Sequence, residues 1–222
     1  MKLECGWWLP DDEHHMIEWM QKAQQTRDGM LQYQFHKYEA ARQFMPSQRG
    51  TAVDVGAHVG FWSRNMALDF AQVVAFEPVP RHAECWRRNM ADFKNAVLHE
   101  YALGAASGTV SLANQAEGAS GDAAITTDAG DSALAVGVRQ ITLDSMALPG
   151  CDFLKIDCEG YEQFVIQGAE QTIKRFKPCV IVEQKPGHAR RFGLRQRGAV
   201  HLLTWWGMTV RKEITGDYIL SF

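Results

Sequence analysis

The sequence lacks several features that would assign the chain to a class at once. No two of its five cysteines have the C-x-x-C spacing, and their number is odd, so we expect neither a disulfide framework nor a zinc site. No apolar run approaches the roughly 18 residues of a membrane-spanning helix, and no basic, apolar leader opens the chain. These absences predict a cytoplasmic protein with no membrane partner.

An excess of positive charge is also missing. The 23 lysines and arginines stand against 26 acids, which gives a net charge of −3 and a pI of about 6.2. A protein that binds duplex DNA or RNA mainly by electrostatics needs a basic surface, so these totals argue against such a substrate. With 46% hydrophobic and 22% charged residues among 222, the composition is that of an ordinary globular protein. No repeat or linker divides it, and we predict one domain over residues 1–222.

The stretch VDVGAHVG at residues 53–60 predicts a buried parallel strand that ends in a tight glycine turn. A helix is expected to start at Phe61, so backbone N–H groups of the loop would face an anion. The motif is D-x-G-x-x-x-G, and His58 stands where a dinucleotide site needs its second glycine. A smaller anion, such as an amino-acid carboxylate, therefore fits better. Asp54 could hold an ammonium group or order the loop.

A second predicted strand, 73–76, ends at Glu77-Pro78. Glu77 follows Asp54 by 23 residues, about the spacing at which a βαβ unit places a ribose-binding acid. A carboxylate there accepts from both ribose hydroxyls and repels a 2′-phosphate. The glycine motif alone also occurs in ordinary α/β turns, and the position of Glu77 strengthens the interpretation as a nucleotide site.

Residues 1–50 precede this unit and are predicted to form a helical cap, with Asp11 or Asp12 capping its first helix. The cap could roof a cofactor cleft and line an acceptor pocket. Alternatively, its tryptophans could simply pack onto the sheet. A third strand is expected over 96–103, which would end beside the base of a bound ligand.

Small residues dominate from about 104 to 148, which indicates an insertion in the core of residues 51–222. Residues 109–112 and 136–141 alternate like a β-hairpin, with a glycine–serine loop at 117–124 between them. A loop of this length is often functional, but flexibility alone explains the composition equally well.

Two later strands end in acids, at Asp157 and Glu183, on the carboxyl edge where open α/β sheets bind ligands. Lys155 lies on the same strand face as Asp157, so we expect it to pair with Asp157 or Glu183. The basic loop at 184–193 would open over this edge and could bind an acidic acceptor, although a merely solvated loop is equally consistent.

Five strands that alternate with helices, followed by a hairpin at Thr215-Gly216, are the layout of class I S-adenosylmethionine-dependent methyltransferases. Over about residues 50–185 the chain resembles the FkbM-type family of these enzymes. The matching pieces are Val53–Gly60, Val74–Pro78, Ala102–Gly104, Thr142–Asp144, Asp152–Glu162, Gly168-Ala169 and the strand ending at Glu183. Cys158 departs from the family's usual aliphatic residue. The resemblance implies an α/β fold with a doubly wound, mostly parallel, seven-stranded Rossmann-like sheet. A C-terminal antiparallel hairpin, a β insertion and an N-terminal helical extension would complete it.

The same resemblance implies S-adenosyl-L-methionine as the cofactor and O-methylation of a hydroxyl on a small molecule or sugar as the reaction. Gly56, Ala57 and Gly60 would approach its methionine part, Glu77 its ribose, and Ala102 and Leu103 its adenine. The full set of expected cofactor-binding residues is Asp54, Gly56, Ala57, His58, Gly60, Phe61, Glu77, Pro78, Ala102, Leu103 and Asp157.

The catalytic candidates are Asp157, Glu159 and His188, each a possible general base. Positioning can supply roughly 7–11 kcal/mol of barrier reduction and a general base about 10²–10⁴-fold in rate, so no single base need be essential. Asp157 could instead orient the cofactor's ammonium group. No metal site is assigned, although Asp157, Glu159 and Glu183 could together hold a divalent cation.

Three other functions are alternatives to methylation of a hydroxyl. A nucleotide-dependent oxidoreductase is disfavoured by His58 in the glycine loop. A nucleic-acid base methyltransferase would carry Pro-Pro-aromatic where this chain has Cys158-Glu159-Gly160. A catalytically inactive S-adenosylmethionine-binding module is disfavoured by the acids at the strand ends, but stays open.

Overall fold

The computed structural model describes residues 1–113, 124–126 and 136–222. Its α-helices, in chain order, are α1 (His15–Ala23), α2 (Phe35–Arg42), α3 (Phe61–Asp69), α4 (Pro80–Asn89), α5 (Glu162–Gln167), α6 (Glu170–Phe176) and α7 (Gly198–Trp205). Short 3₁₀ helices cover Asp144–Met146 and Ala189–Phe192. Among the described residues, no helix combines the length and the apolar character needed to cross a membrane.

Fifteen strands are described, and most of them are short. They are β1 (Lys2–Glu4), β2 (Trp7–Leu9), β3 (Thr26–Arg27), β4 (Met30–Leu31), β5 (Thr51–Val55), β6 (Gln72–Phe76), β7 (Ala96–His99), β8 (Ala102–Leu103), β9 (Gly108–Ala113), β10 (Ala124–Thr126), β11 (Val136–Ile141), β12 (Phe153–Ile156), β13 (Cys179–Glu183), β14 (Thr209–Ile214) and β15 (Asp217–Ser221).

Seven strands form the central sheet, in the order β14-β15-β13-β12-β5-β6-β7. The pairs from β13 to β7 are parallel, whereas β15 runs antiparallel to both β13 and β14. The strand order reverses between β5 and β12, and their carboxyl ends therefore border the crevice where such sheets bind ligands. The predicted doubly wound α/β fold with its C-terminal antiparallel hairpin is confirmed.

The central strands are buried along their whole length because helices cover both faces of the sheet. One apolar cluster joins Val53, Leu154 and Val180 to α5 and α7, and the other joins Ala52, Phe153 and Ile181 to α2 and α3. This alternation along each strand puts neighbouring residues on opposite faces of the sheet. Both layers keep the strand ends in place, and with them the loops that carry the site.

The predicted third strand at 96–103 is wrong as one element. Ala96–His99 pairs with β6 in the central sheet, whereas Ala102–Leu103 pairs in parallel with β11 in a separate sheet of order β10-β9-β11-β8. The antiparallel pairing of β9 with β11 agrees with the predicted hairpin. The glycine–serine loop expected at 117–124 lies outside the described residues, except for Ala124.

Two short helices, α5 and α6, follow the loop after β12. They are separated at Gly168-Ala169, where a Cβ on Gly168 would lie 2.0 Å from the carbonyl oxygen of Gly104. Backbone of the insertion therefore packs directly against this break.

The N-terminal segment contains two hairpins, β1–β2 and β3–β4, besides its two helices. Neither Asp11 nor Asp12 caps α1, because the helix begins later and the carboxylate of Glu13 accepts from the Met16 N–H at 2.7 Å. Trp7 is fully buried and packs edge-on against Phe61, with ring centroids 4.7 Å apart. The cap thus covers the glycine turn and the start of α3. Whether all 222 residues act as one domain stays a prediction.

Candidate active site

A pocket opens at the carboxyl edge of the sheet, with about 1250 Å³ of empty space including its open mouth. Most of the predicted site residues line it. They are Gly56, Ala57, His58, Phe61, Glu77, Pro78, Ala102, Leu103, Asp157 and Glu159. Asp54, Gly60 and His188 lie outside this lining.

The glycine turn is held by the neighbouring strand rather than left open for an anion. The N–H groups of Gly56 and Ala57 both donate to the carbonyl of Phe76 at 3.0 Å, and His58 N–H donates to Glu77 Oε2 at 2.8 Å. These three N–H groups therefore have acceptors within the chain, and an anion bound at the turn would need other donors. The N–H groups at the start of α3 remain, because the first turn of any helix lacks intrahelical acceptors.

Only glycine fits at position 56, because the backbone of another loop lies too close for a Cβ. Gly56 has a positive φ of +73°, and a Cβ on it would lie 1.9 Å from the carbonyl oxygen of Asp157. The glycine turn after β5 therefore touches the loop after β12. This contact brings two predicted site residues, which lie far apart in the sequence, to one wall of the pocket.

Glu77 organises the turn from the end of β6. Besides accepting from His58, it accepts from the Val79 N–H at 2.9 Å through Oε1, and His82 Nδ1 lies 3.5 Å away. Only 4% of Glu77 is exposed. Each carboxylate oxygen has further acceptor capacity, so Glu77 can also accept from a hydroxyl in the pocket.

Lys155 pairs with Asp54, not with Asp157 or Glu183 as the sequence suggested. Its Nζ lies 3.3 Å from Asp54 Oδ1 and donates to the carbonyls of Val55 at 3.2 Å and Gly56 at 2.6 Å. The register of β5 and β12 sets the two residues side by side. Burial would lower the pKa of Lys155, but the carboxylates of Asp54 and Asp157 hold it above its usual value.

Asp54 therefore holds an ammonium group, but that group is one of the chain's own. Its Oδ2 also accepts from Ser63 Oγ at 2.7 Å, and Ser63 Oγ accepts from Trp86 Nε1 at 2.8 Å. Asp54 is fully buried. It orders the strand end beneath the pocket. Gly60 lies beside Trp86, because a Cβ on it would come 3.0 Å from the Trp86 ring.

The loop after β12 is clamped by Glu162, whose role the sequence did not indicate. Glu162 Oε1 accepts from the N–H groups of Cys158 at 3.0 Å and Gly160 at 2.8 Å, and Oε2 accepts from Gln184 at 3.2 Å. Burial raises the pKa of Glu162 to about 7. The clamp holds Glu159 in a left-handed backbone conformation, with φ +53°.

Beyond this loop, a second group of charged side chains meets Glu159. His188 Nδ1 lies 3.1 Å from Glu159 Oε2 and 3.8 Å from Glu183 Oε2. Lys185 Nζ lies 2.5 Å from Glu183 Oε1. Burial raises the pKa of Glu183, and Asp157 raises it further, because a buried carboxylate beside a like charge is less stable.

The cap lines the pocket, as one of the two interpretations of residues 1–50 predicted, and both the cap and the insertion supply lining residues that the sequence did not single out. They include Glu13, His15, Met16, Tyr33 and Gln34 from the cap, and Leu112 and Ile125 from the insertion. Burial raises the pKa of Tyr33 to about 12, so its phenol remains a hydrogen-bond donor at neutral pH. No spacing in the sequence linked these segments to the nucleotide motif.

The basic loop contributes less than the sequence suggested. Lys185 lines the pocket, whereas Arg190 and Arg191 are exposed and lie outside the lining. The carboxylates of Glu13, Asp157, Glu159 and Glu183 face the same space. Acidic side chains therefore outnumber lysines in the lining of the pocket.

Residues 54–205 match the methyltransferase FkbM domain. Among solved structures, the chain is similar to methyltransferase FkbM from Methylobacillus flagellatus KT, with a TM-score of 0.52, 17% identity, and coverage of 79% of this chain and 43% of that one. It is also similar to SMU.1697c from Streptococcus mutans in complex with SAH (TM-score 0.51, 9% identity, 86% of this chain and 98% of that one). A search of curated protein sequences found no match.

A third similar structure comes from Klebsiella pneumoniae and carries the provisional name of O-methyltransferase. Its TM-score is 0.51, its identity 12%, and the match covers 94% of this chain and 87% of that one. At these identities the structures show a shared fold, and the chain spans less than half the length of the M. flagellatus protein. The domain match covers well over half of the 222 residues. The chain therefore belongs to the FkbM methyltransferase family.

Proposed function

We propose that this chain transfers a methyl group from S-adenosylmethionine to a hydroxyl oxygen of a small molecule or sugar. The observation that carries the proposal is the placement of Glu77 and Asp157 in one pocket, on either side of the glycine turn at Gly56. The family match and the fold support the same reaction class.

The residues of the pocket fit the cofactor from one end to the other. Ala102, Leu103, Leu112 and Ile125 give an apolar slot suited to a base, and Glu77 gives a carboxylate suited to ribose hydroxyls. The acidic end at Asp157 and Glu159 suits a ligand that carries positive charge. When bound, S-adenosylmethionine supplies a methyl group already activated by its sulfonium. The protein then has to align the acceptor and take its proton.

Asp157 is the best-placed general base. It is partly exposed at the mouth of the β5–β12 crevice, and its strand neighbour Lys155 is committed to Asp54. Asp157 accepts the proton of the acceptor hydroxyl while that oxygen takes the methyl group. Glu159 lies two residues further along the same loop and offers a second acceptor for the proton.

The acceptor lies between the acidic end and the cap. Tyr33 offers an aromatic face and a hydroxyl donor, and Glu13 and His15 add polar contacts. Because Arg190 and Arg191 lie outside the lining, we propose an uncharged or cationic acceptor in place of an acidic one. Duplex nucleic acid is not an expected partner, given the net charge of −3.

The deciding experiment separates cofactor binding from chemistry. S-adenosylhomocysteine is titrated by calorimetry into wild type and Asp157→Asn, and a hydroxyl-bearing acceptor library is screened with a labelled methyl donor. We expect Asp157→Asn to keep its affinity within about tenfold while methyl transfer falls about 10²–10⁴-fold. The exposed Asp92→Asn serves as the matched control.

Two outcomes would overturn the proposal. Folded wild type that binds NADH but not S-adenosylhomocysteine would favour the oxidoreductase. Tight cofactor binding with no transfer to any acceptor, in wild type and variants alike, would favour the inactive binding module.

We also propose a cytoplasmic, reducing location, supported by five cysteines that are all free thiols. Alkylation of the protein unfolded without reductant tests this. Mass spectrometry should show five modified thiols, and fewer would contradict it.

A further inference from the structure

Three side chains converge at the acceptor end of the pocket, where Asp157 also lies. The proposed methyl transfer uses only Glu159 of the three. One nitrogen of His188 and one oxygen each of Glu159 and Glu183 all lie within 4.8 Å of one another. Glu159 and Glu183 also line the pocket. We propose that these three residues bind a single divalent cation.

The fold, not a local motif, assembles this group. Glu183 ends β13 and Glu159 follows β12, and these strands are adjacent and parallel. Gly160, with φ +106°, packs so closely on the next loop that a Cβ would lie 2.5 Å from the carbonyl of His188. The hydrogen bond from Gln184 to Glu162 ties the same two loops together. The three ligands are thus held before any ion arrives.

Glu183 is the residue that points most clearly to a missing ligand. It is only 2% exposed, and Lys185 holds its Oε1. Its Oε2 has no hydrogen-bond partner in the part of the chain that the structure describes, and it lies 3.8 Å from His188 Nδ1. Buried carboxylate oxygens are normally satisfied, because leaving one unpaired is energetically unfavourable. A cation among the three ligand atoms would satisfy Oε2 without disturbing Lys185.

The donor set narrows the kind of cation. Carboxylate oxygens suit Mg²⁺, Ca²⁺ and Mn²⁺, whereas an imidazole nitrogen favours the first-row transition metals. His188 Nδ1 and Glu159 Oε2 lie 3.1 Å apart. This is close to the distance between two adjacent ligand atoms of an octahedral ion whose bonds are about 2.1 Å long. Two carboxylates with one imidazole therefore match Mn²⁺ or a similar ion, with open positions toward the pocket.

The role of this ion rests on the proposed function. An ion at the acceptor end would bind the acceptor's hydroxyl oxygen and so orient it. Acceptors with two neighbouring oxygens, which can occupy two open positions, would be favoured over those with one.

The test measures binding of the ion in the absence of cofactor and acceptor. Mn²⁺ is titrated into the metal-free full chain, and the free ion is followed by electron paramagnetic resonance. We expect one Mn²⁺ per chain, with affinity lowered about 10- to 100-fold or more in Glu183→Gln and in His188→Gln. His201→Gln, on the exposed face of α7, is the matched control and should bind as wild type does.

No bound Mn²⁺, or binding that persists unchanged in both variants, would overturn the proposal. If Glu183→Gln fails to fold by circular dichroism, Glu159→Gln replaces it, because Glu159 is more exposed. Cofactor and acceptor are absent from this titration, so the absence of Mn²⁺ binding would not contradict the proposed methyl transfer. Wild type that binds Mn²⁺ but not S-adenosylhomocysteine would instead contradict the proposed function and support the ion site.

Discussion

Glu77 and Glu183 stand at equivalent places, each ending a central strand in the same pocket, yet their carboxylates are used differently. Both are buried, at 4% and 2% exposed. Each oxygen of Glu77 accepts one backbone hydrogen bond: Oε2 accepts from the N–H of His58, and Oε1 accepts from the N–H of Val79. Glu183 has one oxygen on Lys185 and one with no hydrogen-bond partner among the described residues.

Two acids at equivalent strand ends can therefore have different functions. Glu77 builds the walls of the cofactor end, because it stabilises two turns of the chain. Glu183 contributes little to the walls and leaves an oxygen directed at Glu159 and His188. Replacing Glu77 should therefore lower the stability of the fold, whereas replacing Glu183 should leave it nearly unchanged.

The largest loss of stability is expected for Glu77→Ala. Two backbone N–H groups, a buried one of Val79 and a part-buried one of His58, lose their acceptor. At about 1–3 kcal/mol each, the free energy of unfolding should fall by roughly 2–6 kcal/mol. Urea denaturation measures this, and calorimetry should show weaker S-adenosylhomocysteine binding. Glu77→Gln, which keeps one acceptor, should lose less. Equal stability of wild type and Glu77→Ala would show that Glu77 does not stabilise the two turns.

Gly160→Ala is expected to come next. The left-handed backbone costs about 1–3 kcal/mol for a residue with a Cβ, and the clash with His188 adds about 1–3 kcal/mol. Gly207→Ala is the control, since it has a similar φ of +98° and no atom within 4 Å of the added Cβ. Gly160→Ala should therefore be the less stable variant by chemical denaturation. The reverse order would mean that the two loops do not touch as described.

A pH effect of similar size is expected from Glu162. Its pKa in the folded state, about 7, is above its ordinary value of 4.5, so the folded chain binds the proton more tightly. This stabilisation is complete below about pH 4.5 and is lost as the pH rises through 7, on the order of 3 kcal/mol in all. Denaturation of wild type and Glu162→Gln between pH 5 and 8 measures the difference. Parallel pH curves for the two proteins would contradict the assignment.

The smallest loss of stability is expected for Glu183→Gln. The partner of Glu183, Lys185, has a 40% exposed side chain that water can solvate, so the unfolding free energy should change by less than about 1 kcal/mol. Thermal or urea unfolding checks this. A loss as large as that of Glu77→Ala would show that Glu183 also holds up the fold.

Much of the cofactor end could be predicted because its signals are local. The D-x-G-x-x-x-G turn, the acid at Glu77 and the family motifs lie within segments whose spacing along the chain determines their spacing in the fold. Several central strands followed from apolar runs of strand length, and the seven-stranded, mostly parallel sheet agrees with what the family resemblance implies. The strand expected at 96–103 is an exception, because its two parts pair in different sheets.

The acceptor end could not be predicted in the same way, because it depends on contacts between distant segments. Lys155 was assigned the wrong acid, since strand register, not the period of side chains, put Asp54 beside it. Glu162 and Tyr33 gave no signal, since burial and neighbours give them their roles. The basic loop had two equally open interpretations, and only the structure showed that Arg190 and Arg191 are exposed and lie outside the pocket lining.

The sequence by itself determined the fold, the family and the strand ends that carry the site, because periodicity and short motifs act through neighbouring residues. Only the tertiary structure decided that Glu159, Glu183 and His188 meet, and that Asp54 is committed to Lys155. Those pairings depend on the packing of β5, β12 and β13 and on the close approach of Gly160 to the next loop. Such distances are set by the whole core and cannot be read from any one segment.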